Sequence, residues 1–350
     1  MEFLLKHTAF LTQWYLGRLE DQRNGKKTMG GMWAYLTGSP GPSGFGSRST
    51  AEDVTAGINL SSKTIIISGA TSGIGKEAAT VLAKRGAHIV MAIRNLSTGE
   101  EVKAAIMEET PNARVDVMKL DLASLASVRQ FAEEFKARKL PLNILINNAG
   151  YMSGRFELSK DGLEKVFATN HIGTFLLTKL LLDTLKSTAE ETGEEGRIVN
   201  VASEAHRYAY KGGVVFDKLN DSTRYQSNMA YGQSKLANIL HVKELAKQLK
   251  EKGINVTANA LHPGVISTNF GKGQSFIFSD AALSLVKFAL KTVPQGAATT
   301  CYLATSPQVN GVSGQYFKDC NIYPYVSSYA NDPKLAAKLW EFSEEFVSTH

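Results

Sequence analysis

The sequence predicts a single α/β domain built around a doubly wound parallel sheet. Short apolar runs rich in β-branched residues, such as 64–68 and 88–93, alternate with longer segments of helical character. A glycine-rich turn joins the first of these runs directly to a helix. Apolar strands that alternate with helices form parallel sheets covered on both faces, so these two observations predict the fold class.

Composition and charge exclude several other classes of protein. The chain has 350 residues, of which 43% are hydrophobic and 21% charged, so a large core is available. The net charge of +6 comes without a run of Lys and Arg, which argues against a nucleic-acid partner. Two cysteines make no disulfide framework, and no apolar run reaches the roughly 18 residues of a transmembrane helix. We find no cluster of side chains at metal-ligand spacing, so no metal is expected.

Residues 1–60 differ from the rest and predict an N-terminal extension that is partly disordered or amphipathic. Aromatic and leucine side chains recur at helical spacing in residues 1–19, which favours a helix on a membrane surface. Residues 38–44, rich in Gly, Pro and Ser, are typical of a linker. The alternative is a poorly ordered leader, or a chain whose true start is Met32.

The main domain is predicted to span residues 61–320 and to begin with a strand at 64–68. A turn and the start of a helix follow, with Gly69, Ser72, Gly73, Ile74 and Gly75 as candidate cofactor contacts. Glycines allow a tight turn and a close approach to pyrophosphate, while the helix start supplies N–H groups and partial positive charge. The spacing is not Gly-x-Gly-x-x-Gly, but its place between strand and helix predicts a dinucleotide site.

The end of the second strand, 88–93, indicates which dinucleotide binds. An acidic residue there would accept a hydrogen bond from the ribose 2′-hydroxyl and select NAD. This chain has Arg94 and Asn95 instead, and an arginine accommodates a 2′-phosphate. The sequence therefore predicts NADP(H) as the cofactor, although a solvated charge at a strand end is the alternative for Arg94.

The third strand, 114–119, lies between helices at 98–109 and 124–137 and is followed by Asp121 and Leu122. The Asp121 carboxylate has two interpretations that the sequence leaves open. It could accept a hydrogen bond from an adenine amino group, or it could cap the helix that follows.

The fourth strand, 142–146, ends at Asn148, Ala149 and Gly150. An Asn there can brace the backbone, and two small residues leave room for a ribose and nicotinamide. A long helix is predicted at 163–185, containing Asn170, and 187–195 is predicted to be a surface loop. The carboxyl ends of parallel strands are where such sheets bind ligands.

The fifth strand, 197–203, ends at Ser203, and an irregular excursion leads to a helix at 229–249. Tyr231 and Lys235 lie four residues apart on that helix and so share one face. A phenol is a poor acid at neutral pH, and a nearby ammonium stabilises the phenolate. The pair therefore suits proton transfer to a developing alkoxide.

The rest of the chain predicts a sixth strand at 254–260 and a short last strand at 315–317. Pro263 and Gly264 follow the sixth strand, where they end regular structure, and the chain then leads to Thr268. The segment 271–291 contains an apolar run that predicts either a lid or an ordinary packed helix. Residues 321–350 are predicted to form a C-terminal helix, at 332–347, that packs on the domain.

Taken in order, these motifs resemble the short-chain dehydrogenase/reductase family. The likeness covers about residues 60–320 and implies a Rossmann fold, with Asn148, Pro263, Gly264 and Thr268 among the cofactor contacts. The residues that carry it are Gly69, Gly73, Gly75, Asn147, Asn148, Ala149, Gly150, Asn170, Ser203, Tyr231, Lys235, Pro263 and Gly264.

The resemblance implies a role for each catalytic residue. Tyr231 would exchange a proton with the substrate oxygen, while Lys235 would lower the Tyr231 pKa and hold the nicotinamide ribose. Ser203 would hydrogen-bond the substrate oxygen, and Asn170 would position a water in the proton relay. Hydride would pass between the nicotinamide and the carbonyl carbon. The expected partner is thus a small-molecule carbonyl or alcohol.

Within the family, the chain is similar to the retinol-dehydrogenase-like branch and to plant members named after the plastid inner-envelope import translocon. The stretches 203–207, 261–264, 295–302 and 311–314 carry this likeness. It implies a chloroplast or plastid-envelope location, with the cytoplasm as alternative, and possible peripheral membrane association. We expect an NADP(H)-dependent reductase acting on a fairly apolar substrate, or alternatively an NADP(H)-sensing component of a membrane import complex. The oligomeric state stays open.

Overall fold

The computed structural model describes Tyr35 and residues 37–266 and 290–350. Its strands are β1 Thr64–Ser68, β2 His88–Ile93, β3 Arg114–Lys119, β4 Ile144–Asn147, β5 Gly196–Val201, β6 Val256–His262, β7 Tyr316–Lys318 and β8 Asn321–Ile322. They form one sheet in the order β3-β2-β1-β4-β5-β6-β7-β8. All pairings are parallel except that of β7 with β8. The predicted doubly wound fold is confirmed.

The helices cover both faces of this sheet. They are α1 Ala51–Val54, α2 Gly73–Lys84, α3 Leu96–Glu109, α4 Leu125–Ala137, α5 Lys165–Phe167, α6 Gly173–Thr192, α7 Ser227–Glu251, α8 Val293–Thr305 and α9 Pro333–Thr349. A π-helical turn, Ala168–Ile172, joins α5 to α6. No helix in the described ranges is both long and apolar enough to cross a membrane.

Alternate residues of each strand point to opposite faces, and each face carries its own core. In β1, Ile66 packs into a cluster with α4, α6, α7 and α9. Ile65 and Ile67 pack into a second cluster with α1, α2, α3 and α8. All three isoleucines are fully buried, and burial of each contributes roughly 1.5–3 kcal/mol. Because both faces of β1 are covered, its central residues are all apolar rather than alternating with polar ones.

The N-terminal part of the described chain packs on the domain, unlike the extension predicted before residue 61. Ala51, Val54 and Leu60 are buried in the core that includes α2 and α8. Asn321 of β8 binds the linker-like stretch, because its Oδ1 accepts from Ser43 N and its Nδ2 donates to Phe45 O. The helix predicted at 1–19 and the possible start at Met32 lie outside the described residues.

Two predicted boundaries around the long helix are wrong. Regular helix begins at Lys165 and runs through the π turn to Thr192, so the loop predicted at 187–195 is largely helical. The loop was predicted because these residues are mostly polar. They lie on the exposed side of a helix that still buries Thr188 and Ala189. The helix ends where Gly193 takes a left-handed conformation, with φ of 71°.

Two features near the C-terminus also differ from prediction. Strand β7 is not the last strand, since the chain turns back at Asp319 and Cys320 to pair β8 with it. Helix α8 was not predicted, because its small and threonine-rich buried face lacks a strong apolar period. The segment 271–289, where a lid or packed helix was predicted, lies outside the described residues.

Candidate active site

The glycine turn between β1 and α2 packs tightly against the neighbouring strand end. Gly69 has φ of 70°, a conformation that favours glycine. A Cβ on Gly75 would lie 2.3 Å from Gly69 O and 2.4 Å from Nδ2 of Asn148. The Ser72 side chain makes no capping hydrogen bond at the start of α2. The turn therefore presents main chain and a helix start, with Ile74 in its first turn, as a cradle for a phosphate group.

Asn148 ties the ends of β1 and β4 together where the strand order reverses. Its Nδ2 donates to Ser68 O at 3.0 Å and to Gly69 O at 3.1 Å. In return, Ser68 Oγ accepts from the main-chain N–H groups of Asn148 and Ala149 at 3.0 and 3.1 Å. Beside them, a Cβ on Gly150 would lie 3.4 Å from Nζ of Lys235. This brings the predicted Asn148–Gly150 contacts beside both the glycine turn and Lys235.

The residues predicted to contact the cofactor after β2 and β3 differ in exposure and in hydrogen bonding. Arg94 is exposed directly after β2, whereas Asn95 caps α3 by accepting from Ser97 N at 3.1 Å. After β3, Asp121 Oδ1 accepts from Ala123 N at 3.1 Å.

The residue that caps α4 is Ser124, so the capping alternative for Asp121 is wrong. The Asp121 carboxylate forms only a local turn and lies 3.7 Å from Nζ of Lys160. Its neighbour Leu122 is buried, and the Leu122 carbonyl packs closely on Gly173 at the start of α6. The adenine contact stays a prediction.

Asn170 lies in the π-helical turn and is fully buried. Its Oδ1 accepts from Tyr151 N at 2.7 Å, and its Nδ2 donates to Tyr151 O and Ser234 Oγ at 2.8 and 2.9 Å. Single π turns are often found at functional sites. Both Nδ2 hydrogens are used, so on this side chain the second lone pair of Oδ1 is what remains for the predicted contact with a water.

Ser203, Tyr231 and Lys235 meet at the carboxyl end of β5. The Ser203 hydroxyl is hydrogen-bonded to the Tyr231 phenol and also accepts from Ala205 N at 3.1 Å. Nζ of Lys235 lies 5.6 Å from the centre of the Tyr231 ring and donates to Val201 O at 2.8 Å. Two hydroxyls and an ammonium thus converge at the edge of the sheet that carries the glycine turn.

The proton affinities of this group follow from burial. Tyr231 as a whole residue is only half-buried, yet burial of its phenol group raises the pKa of Tyr231 to about 12. The hydrogen bond with Ser203 acts in the opposite direction. Burial also lowers the pKa of Lys235 to about 8. The expectation that Lys235 lowers the Tyr231 pKa is therefore not met here, because loss of hydration is the larger effect.

Pro263 and Gly264 follow β6 directly, as predicted, while Thr268 lies outside the described residues. A Cβ on Gly264 would lie 2.6 Å from Cδ of Lys291. Lys291 is buried and forms an ion pair with Asp319 at 2.5 Å. The backbone at Gly264 is therefore held against a buried ion pair.

Comparisons with known proteins fit this geometry. Residues 63–217 match the family model described as short chain dehydrogenase. A Brassica napus protein named short-chain dehydrogenase TIC 32 B, chloroplastic, is 52% identical over 319 residues, covering 91% of this chain and 99% of the relative. The chain belongs to the short-chain dehydrogenase family. Retinol dehydrogenase 12 of Mus musculus is 41% identical over 293 residues, covering 84% of this chain and 89% of the relative.

A solved structure shows the same fold in another chain. It is an uncharacterised protein from Mycobacterium Paratuberculosis, with a TM-score of 0.66 and 34% identity, covering 85% of this chain and 97% of that one. The predicted family and its retinol-dehydrogenase-like and plant relatives are confirmed. As a member of this family, the chain is an oxidoreductase by class.

Sequence reasoning missed several residues that shape the site of this short-chain dehydrogenase. Ser68 was treated only as part of a strand, although a polar residue at the end of an isoleucine run was a usable signal. Lys291 and Asp319 are 28 residues apart, and no local pattern indicates that they pair. His206 was noted only for family likeness, yet its ring contacts Ser203 O.

Proposed function

We propose that the chain is an NADP(H)-dependent oxidoreductase that interconverts a carbonyl and an alcohol on a fairly apolar substrate. The observation that carries this is the hydrogen-bonded pair of hydroxyls, Ser203 and Tyr231, with the Lys235 ammonium beside the phenol ring. The apolar run at 281–290 in the sequence supports an apolar substrate.

Each residue of this group has a distinct task. With its pKa near 12, Tyr231 keeps its proton at pH 7 and can donate it to an oxygen on which negative charge develops. Ser203 supplies a hydroxyl that stabilises the same oxygen. Lys235 donates to Val201 O beside the phenol ring, where its positive charge would offset part, but not all, of the desolvation that keeps the Tyr231 pKa high. Bound NADP(H) would supply or accept the hydride.

The cofactor fits the cradle on physical grounds. Gly75 leaves no space for a side chain between α2, the glycine turn and Asn148, so main chain lines the place where a pyrophosphate would lie. Arg94 is exposed at the end of β2, where it would pair with a 2′-phosphate. Gly150 and Lys235 would hold the nicotinamide ribose end.

An assay of the full chain tests this function. NADPH and NADH oxidation would be followed against a panel of aldehydes and ketones that includes retinal, with Tyr231→Phe as the blank. Tyrosine-dependent NADPH oxidation on any panel member supports the proposal. Turnover that is equal in the Tyr231→Phe protein would refute the assigned chemistry.

We expect Arg94→Asp to shift cofactor preference towards NADH. The change removes a charge-assisted hydrogen bond to the 2′-phosphate, worth roughly 1.5–3 kcal/mol, and adds a carboxylate that repels it. The ratio of kcat/KM for NADPH to that for NADH should fall by roughly 10–100-fold. Lys247→Asp, which makes the same charge change at an exposed position on α7, is the control and should leave the ratio unchanged. An unaltered ratio in Arg94→Asp would remove Arg94 from cofactor selection.

A second candidate function is an NADP(H)-sensing component of a plastid membrane complex, with catalysis secondary. The name of the 52%-identical relative, short-chain dehydrogenase TIC 32 B, chloroplastic, favours this function and supports a plastid location for this chain. Membrane fractionation with and without residues 1–31, and pull-downs in NADP or NADPH, would test it. If the same partners are recovered with NADP and with NADPH, the sensing function is refuted and only the enzymatic function remains.

A further inference from the structure

His206 contacts the main chain of Ser203 from the next turn of the chain. It lies in the short 3-10 helix Glu204–Tyr208 that follows β5, and its ring is fully buried. Its Nδ1 lies 2.7 Å from Ser203 O, and its Nε2 lies 3.2 Å from Ser327 N. Both ring nitrogens therefore have a partner, one on each side.

These two partners determine the tautomer of the imidazole. A main-chain N–H can only donate, so Nε2 of His206 must accept from Ser327. Nδ1 then carries the proton and donates to Ser203 O. Burial lowers the pKa of His206 to about 4, so the ring keeps this neutral form near pH 7.

The 3-10 helix Glu204–Tyr208 makes a second contact with the segment that contains Ser327. Arg207 Nε donates to Glu204 Oε1 at 2.6 Å, and its Nη2 donates to Tyr325 O. The Tyr316 ring of β7 packs edge-on against His206, with ring centres 5.3 Å apart. Residues 325–327, which lead towards α9, thus anchor the turn that carries Ser203.

The position of the Ser203 hydroxyl depends on the main chain at Ser203. Its Oγ already accepts from Ala205 N and is hydrogen-bonded to Tyr231, so small rotations of the backbone would disturb both contacts. We propose that His206 is a positioning residue, whose Nδ1–H bond to Ser203 O holds the Ser203 hydroxyl in place for the substrate oxygen. The Ser327 bond selects the required tautomer. This rests on the proposed function of Ser203.

Two amide substitutions separate the two ring contacts. His206→Asn places an amide at the level of Nδ1 and can keep the bond to Ser203 O. His206→Gln places it at the level of Nε2 and can keep only the Ser327 partner. Each variant loses one hydrogen bond and some ring volume, so their Tm values should fall by similar amounts.

Turnover should distinguish the two variants. We expect His206→Asn to keep kcat within about threefold, because the contact to Ser203 survives. His206→Gln should lose roughly 10–100-fold in kcat, since misplacing a catalytic group by about 1 Å can cost that much. NADPH affinity should stay unchanged in both. A purely structural role would give equal losses, and that result would overturn the proposal.

The Ser203→Ala background supplies the deciding control. If His206 acts through Ser203, adding His206→Gln to Ser203→Ala should lower kcat no further. If His206→Gln lowers kcat in the Ser203→Ala protein as much as it does in the wild type, the proposal is overturned. Imidazole ¹⁵N shifts of the wild type should report the Nδ1–H tautomer, and an Nε2–H form would also overturn it. Should the wild type bind NADPH but show no Tyr231-dependent turnover, the function itself fails and the proposal with it.

Discussion

Tyr231→Phe is expected to lose roughly 10³-fold or more in kcat while NADPH binding persists. The phenol is the group placed to exchange a proton with the substrate oxygen, and phenylalanine keeps the ring but has no proton to give. Loss of the phenol hydroxyl also removes one of the hydrogen-bond partners of the Ser203 hydroxyl, while the bond from Ala205 N remains. Single-turnover kinetics together with NADPH fluorescence titration would measure the chemical step and binding separately.

The matched control for this variant is Tyr325→Phe. Tyr325 is 59% exposed, and the contact it makes to Arg207 uses its main-chain carbonyl, which the substitution keeps. It should retain wild-type turnover. A Tyr231→Phe protein that keeps half of the wild-type rate would rule out Tyr231 as the acid and leave Ser203 or Lys235 to be examined.

Gly75→Ala is expected to weaken NADPH binding by roughly 10–100-fold. The added methyl would overlap Gly69 O and Nδ2 of Asn148, both closer than 2.5 Å, and main chain cannot move aside cheaply. Overpacking of this kind costs about 1–3 kcal/mol, and each 1.4 kcal/mol in binding is about tenfold. Isothermal titration with NADPH measures the change, and circular dichroism shows whether the fold persists.

Gly154→Ala provides the comparison for this glycine. Among the described residues, none apart from its chain neighbours lies within 4 Å of a Cβ placed on Gly154, so that variant should bind NADPH as the wild type does. If Gly75→Ala also kept its affinity and its Tm, the close approach of α2 to Asn148 would not be needed for the cofactor.

Local pattern was enough wherever neighbouring residues decide the structure. Strands β2 and β3 have the bounds that were predicted, 88–93 and 114–119, because both are short runs closed by turn residues. The helix with Tyr231 and Lys235 was predicted within two residues at each end. Prediction failed at α8 and at 187–192, where small or polar residues are helical because tertiary neighbours bury one side of them.

The candidate catalytic residues come together although 65 positions separate Asn170 from Lys235. That they form one site was predicted from the family resemblance, which rests on their order along the chain. Their contacts did not follow from spacing: Asn170 binds Tyr151 and Ser234, and Lys235 binds Val201 O. These contacts depend on how distant segments pack, such as α7 against the end of β5. No local sequence pattern encodes that packing.

By itself, the sequence determined the alternation of strands and helices, the glycine turn after β1 and the shared face of Tyr231 and Lys235. These depend on side-chain size, periodicity and backbone freedom within a few residues. Tertiary structure alone decided the pairing of Lys291 with Asp319, the contact of His206 with Ser327 and the high Tyr231 pKa. The physical reason is that burial and long-range contacts exist only once distant segments have packed together.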